Sequence, residues 1–199
     1  MRRAAAAAAA IALLGAATAA AGEIRGTPGA DNLTGTPNAD KVYAGPGSDV
    51  VHGGAGNDRI LGGRGADRLF GAAGNDFIFG GPDNDRIFGD GGNDTIHGDG
   101  GNDTIDAGPG DDVVSGGPGD DTINGGPGDD RLRGDGGNDV IYAGGGENVI
   151  EGGPGNDVIY ARNGQQDTIY CGPGVDTVYV DAREDGVFDC EIVKYPKGG

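Results

Sequence analysis

An aspartate returns every nine residues along most of this chain: Asp31, Asp40, Asp49, Asp58, Asp67, Asp76, Asp85, Asp94, Asp103, Asp112, Asp121, Asp130, Asp139 and, after Asn148, Asp157. Carboxylates locked to one phase form a ladder of hard oxygen ligands, and the chemistry such a ladder serves is cation binding. Other candidates for chemistry are few. His52 and His97 share one phase of the repeat but lie in its third and eighth units, which a two-sided coil places on opposite faces, so they make no catalytic pair. Each reads as an exposed strand residue. The sequence has no nucleophile elbow, no His-Glu-x-x-His and no phosphate-binding Gly-Lys-Ser/Thr. The regular stacking of the aspartates suits cation sites better than an acid/base pair, and the chain reads as non-enzymatic.

These carboxylates are positioned by a repeat. From Gly26 to Tyr160 the unit Gly-Gly-x-Gly-x-Asp-x-aliphatic-x recurs 15 times without insertion or deletion. Position eight is Leu, Val or Ile in every unit, from Leu33 to Ile159. One aliphatic residue per unit is too sparse for an amphipathic helix. It fits a very short strand with one inward side chain between outward positions seven and nine. Position four is Gly in 13 units, and its exceptions are Asn38 and Asp83. Asn and Asp are the non-glycine residues that best tolerate positive φ, so position four is expected to be left-handed. The unit becomes a six-residue turn and a three-residue strand. Two units close one coil, and odd units stack on odd and even on even at about 4.8 Å. A short fixed period means a solenoid.

Composition narrows the alternatives. The chain has 199 residues, of which 46 are Gly and 10 Pro. Collagen is excluded by the glycine fraction and by the period, and disorder by the strict phase of the aliphatic residues. The net charge is −18, from 14 Lys and Arg against 32 Asp and Glu. That balance excludes nucleic acid, whose phosphates need a basic footprint, and favours cations. Residues 1–21 read as a secretory signal peptide: Arg2 and Arg3, an apolar run from Ala4 to Leu14, and small residues Ala19-Ala20-Ala21 before Gly22. An uncleaved anchor is the competing reading, and no other segment could span a membrane. In an exported chain Cys171 and Cys190 are expected to pair as a disulfide, worth about 3 kcal/mol, with two independent thiols as the alternative.

The expected layout is therefore a signal at 1–21, a repeat domain at 22–170, and a last repeat with a disulfide-linked cap at 171–199 built on Val187, Phe188, Ile192 and Val193. One buried aliphatic per unit returns less than it costs to order a glycine-rich unit. Stacked carboxylates add repulsion, which divalent cations between turns would remove. Calcium, with six to eight oxygens in flexible geometry, suits such turns better than magnesium, and on the order of ten ions would neutralise the chain.

The unit Gly-Gly-x-Gly-x-Asp-x-aliphatic-x resembles the haemolysin-type calcium-binding repeat, the RTX nonapeptide. The resemblance implies an all-β fold, a right-handed parallel β-roll of two short-strand sheets. It implies that each position-six aspartate holds Ca2+ between turns together with backbone carbonyls, pairing Asp58 with Asp76, Asp67 with Asp85 and Asp94 with Asp112. It also implies calcium-driven folding outside the cell. Two departures are expected to matter. Asn148 should weaken the gaps it shares with Asp130 and Asp167, and the extra residue in 161–170 should disturb its turn.

Outward positions line up in columns. Arg68 and Phe70 should lie beside Arg86 and Phe88, and Tyr43, Leu61 and Phe79 should form a column on the other sheet, with Tyr142 and Tyr160 repeating the pattern. The Arg/Phe columns make a candidate docking face for cell-surface polysaccharide or another protein. The plainer reading is that they stack only on each other. A secreted structural or interaction protein is the leading expectation, and the alternative is a polysaccharide-binding or accessory module like the repeats of secreted hydrolases and epimerases.

Overall fold

The computed structural model describes residues 21–181 and 186–196, so the segment read as a signal peptide lies outside the described residues apart from Ala21. All regular structure in the described residues is strand, and no helix there is long and apolar enough to cross a membrane. Twenty strands run from β1 (Glu23–Arg25) and β2 (Asn32–Thr34) to β19 (Gly186–Phe188) and β20 (Ile192–Lys194). Odd-numbered strands form one ten-stranded parallel sheet and even-numbered strands the other, each in sequence order. This is the parallel β-solenoid that the period requires.

Register follows from the repeat. Val42 pairs with Ile60, Ile60 with Ile78 and Ile78 with Ile96 on the odd sheet, and Leu69 with Ile87 on the even one. Every position-eight side chain is at most 2% exposed, and together they form one continuous core between the sheets. Ala44, Ala107 and Ala143, at position one, point into the same core.

The turns are left-handed at two places. Position four behaves as expected through most of the roll, including Asp83 at φ 96°, but Asn38 is not among the left-handed residues. Position two is the second site. There Gly45, Gly54 and Gly63 hold φ between 104° and 114°, and Ala72, Asp90, Asp99 and Asp135 take positive φ as well. Aspartate standing in for glycine at position two was the signal, and it is the same tolerance that marks Asp83 at position four. Outside the core, position-five side chains run a second ladder, with Asn75 N–H donating to Asn57 Oδ1 at 3.0 Å and Asn93 N–H to Asn75 Oδ1 at 2.9 Å.

The extra residue of 161–170 is absorbed without loss of pairing. Val149 pairs with Thr168 and Val158 with Thr177, a spacing one residue longer than elsewhere. The Asn163 side chain holds the lengthened turn by donating to the Gly146 carbonyl at 2.9 Å. The apolar tail adds a last rung to each sheet. Val187 and Val193 pack on the core, while Phe188 and Ile192 stay 47% and 41% exposed on the outer faces. Cys171 and Cys190 are joined by a disulfide, which ties that last rung to the coil before it.

Candidate metal centre

Each turn aims its position-six carboxylate inward. From Asp40 to Asp157 these aspartates are at most 2% exposed, and Asp31 is 7% exposed. They form two chains of hydrogen bonds along the roll, one from Asp31 through Asp49 and Asp67 and the other from Asp40 through Asp58 and Asp76. Asp58 N–H donates to Asp76 Oδ1 at 2.7 Å, Asp67 N–H to Asp85 Oδ1 at 2.7 Å, and Asp94 N–H to Asp112 Oδ1 at 2.7 Å. The three carboxylate pairs named from sequence are therefore neighbours, joined through a backbone donor. Asp167 and Asp176 extend one chain each, accepting from Asn148 N–H and Asp157 N–H at 2.8 Å each. Their phase, displaced by the extra residue, kept them outside the regular repeat.

The second oxygen of each carboxylate is the chemically open one. Oδ2 is buried and without a hydrogen-bond partner in every position-six aspartate from Asp49 to Asp139, and in Asp157 and Asp176. Its surroundings are acceptors. A Cβ placed on Gly62 would come 2.6 Å from Asp67 Oδ2 and 2.6 Å from the Gly80 carbonyl, and one on Gly80 would come 2.5 Å from Asp85 Oδ2 and 2.6 Å from the Gly98 carbonyl. Glycine thus predominates at position one, Ala44, Ala107 and Ala143 excepted, because a carboxylate oxygen and the next coil's carbonyl converge on that space.

Burial without a donor is costly for a carboxylate, and the electrostatics register it. Loss of solvent raises the Asp85, Asp94, Asp121 and Asp130 carboxyls to about 7, against a partial opposing effect of the backbone N–H each accepts from, and neighbouring carboxylates push them further up. Asp58, Asp67, Asp103, Asp112, Asp139 and Asp157 are raised to about 6 for the same leading reason. At neutral pH such a column needs protons or cations.

Hard, oxygen-only donors of this kind fit calcium. Among the described residues no three His, Cys, Asp or Glu side chains converge, so carboxylates in stacked pairs can supply only part of a coordination shell and turn carbonyls must supply the rest. The fit is uneven along the chain. Asp31 Oδ2 accepts from Thr27 N–H at 2.5 Å and Thr27 Oγ1 at 3.0 Å, and Asp40 Oδ2 accepts from Thr36 N–H at 2.6 Å. Asn148 answers its own gap, with Nδ2 donating to Asp167 Oδ1 at 3.1 Å and to the Gly146 carbonyl at 3.3 Å.

The histidines stand on opposite sheets, His52 in Val50–Ala55 and His97 in Thr95–Gly100, each stacked on a phenylalanine. On the even sheet His52, Phe70 and Phe88 form one stack, with ring centroids 4.6 and 4.9 Å apart. Tyr142, Tyr160 and Tyr179 form another at 4.9 and 4.8 Å. Within each stack the ring faces are turned to one another, so edges and the end faces alone meet the surroundings. Arg68 pairs with Arg86 in the adjacent column. Both arginines line an open notch with Asn84, Asn102 and Thr104.

No curated protein matches the chain. The model of the RTX calcium-binding nonapeptide repeat matches it in overlapping segments that run continuously over residues 25–165. With the repeat, the solenoid and the carboxylate column in agreement, the chain belongs to the RTX calcium-binding nonapeptide repeat family, and it is a calcium-binding repeat protein.

Proposed function

We propose that this protein is a secreted, non-enzymatic module whose roll forms when calcium enters the gaps between stacked turns, and that it serves a structural or interaction role outside the cell. The observation that carries this reading is the column of buried Oδ2 atoms without donors from Asp49 to Asp139 and at Asp157. Those aspartates, with turn carbonyls, would hold the ions, and the bound metal supplies the positive charge that lets the carboxylates stack. Asp31 and Asp40, already satisfied by Thr27 and Thr36, would contribute less. Millimolar calcium outside the cell favours the roll, and scarce calcium inside keeps the chain extended for export through the leader at 1–21. Calcium titration of the mature chain, read together by calorimetry and circular dichroism, tests the proposal. Stoichiometry on the order of ten, with strand content rising in step, supports it.

A second reading, a polysaccharide-binding module, is favoured by Arg68 and Arg86. No salt bridge engages either among the described residues, and they sit side by side in an otherwise acidic chain. The partner chemistry such a pair fits is an acidic sugar, with the edges of Phe70 and Phe88 beside it. Retention of the calcium-loaded protein on an acidic polysaccharide, abolished by Arg68→Ser with Arg86→Ser, is the expected outcome of that reading.

A further inference from the structure

The outward column of the even sheet reads His52, Phe70, Phe88, Asp106, Asn124, Tyr142, Tyr160 and Tyr179 along successive rungs. Two short polar residues interrupt a run of rings. Phe88 is stacked on Phe70 through one face, and its other side opens onto a notch of about 460 Å³ lined by Asp90, Asp106, Pro109, Asn124 and Pro127. At the far side the Tyr142 rung closes the interval, with Tyr142 itself 44% exposed. The floor is fixed by a hydrogen bond from Asn124 Nδ2 to Asp106 Oδ1 at 2.9 Å. The notch is thus an open recess with one aromatic wall, Phe88, flanked by two prolines and two carboxylates.

Elsewhere on this molecule, aromatic residues of the same outward position meet a cation. Arg25 lies 4.5 Å from the Tyr43 centroid and Arg59 5.1 Å from that of Phe79. Tyr179 carries Arg162 at 5.3 Å and Lys194 at 4.8 Å. Phe88 has no such neighbour among the described residues, no Lys or Arg lines its notch, and neither Asp90 nor Asp106 is in a salt bridge there. We propose that this notch is a binding site for a small organic cation of the alkylammonium class, held against the Phe88 ring face and between the Asp90 and Asp106 carboxylates. A ring face attracts a cation through its quadrupole, and adjacent carboxylates add a direct electrostatic pull. An open notch of this size suits a small ligand. The carboxylates disfavour anions, which separates this site from the arginine column that precedes the Phe70–Phe88 column by two residues on the same strands.

The test uses the full mature chain in calcium, with choline as probe and ligand-methyl NMR shifts as readout. Choline methyl protons are expected to move upfield on binding, through the ring current of Phe88, while the uncharged dimethylbutanol in which carbon replaces nitrogen gives no shift. Asp90→Asn with Asp106→Asn should weaken choline roughly five- to tenfold. Asp106→Phe continues the ladder, covers the open Phe88 face and should abolish binding while circular dichroism stays that of the parent. The proposal is overturned if choline produces no shift, if the uncharged isostere binds as well, or if Asp106→Phe retains binding. Binding of a lysyl peptide without binding of choline would reassign the site to protein recognition and likewise overturn it.

Discussion

The first two turns of the roll and its middle share one motif but solve the same electrostatic problem differently. In the first, Asp31 and Asp40 find donors within their own units, from Thr27 and Thr36 at position two. In the middle, Asp85, Asp94 and Asp103 leave Oδ2 buried without a donor. There position two is Gly81, Asp90 and Asp99, all at positive φ. The difference teaches that a buried carboxylate is not by itself a metal ligand. Its Oδ2 is left without a donor where the backbone is left-handed at position two.

The largest effect expected from breaking this contrast lies in the core that both regions share. Ile96→Ala, at a fully buried mid-roll position, should cost about 2–5 kcal/mol in the calcium-loaded state, and Ile24→Ala at the partly buried end should cost clearly less, as read by thermal unfolding. Next come the carboxylates. Asp94→Asn should raise the calcium concentration at the folding midpoint about tenfold, whereas Asp40→Asn leaves it nearly unchanged. A calcium titration followed by circular dichroism separates the two.

Protons sharpen the same comparison. The mid-roll carboxyls at about 6 to 7 titrate far above the ordinary value of 3.8 that holds when unfolded, so the folded metal-free chain binds protons the unfolded chain has released. Their contribution therefore favours the fold below pH 4, weakens as pH rises, and is lost above about pH 7. In chelator, strand content should rise on acidification from pH 7 towards 4. In calcium the dependence reverses, because protons compete for the same oxygens, and the midpoint should move to higher calcium below about pH 6. The smallest expected effect is a gain. Asn148→Asp replaces a self-satisfied amide with a carboxylate and should add calcium uptake detectable by calorimetry, with a slightly less stable metal-free state.

Much of this was legible in the residues because the repeat makes each inference fifteenfold. The strand at position eight, the odd-on-odd stacking and the Asp58–Asp76 type of pairing all follow from one period. Three features were not. The left-handed turn at position two was hidden because glycine there also fits a close approach, and Asp90, Asp99 and Asp135 were its one visible sign. The roles of Thr27 and Thr36 depend on how the first turns bend, which no period encodes. The sequence places Asp167 beside Asn148, but the extra residue before it is expected to disturb the turn, and pairing survives because a turn, unlike a strand, lengthens without changing which faces pair.

The central claim, that metal supplies the charge the buried column lacks, is tested most directly by strand content of the purified mature chain at neutral pH after exhaustive chelation, followed by restoration of calcium. Loss of strand signal in chelator and its cooperative return with calcium is the expected result. A roll that keeps its full strand content with every divalent ion removed would contradict it.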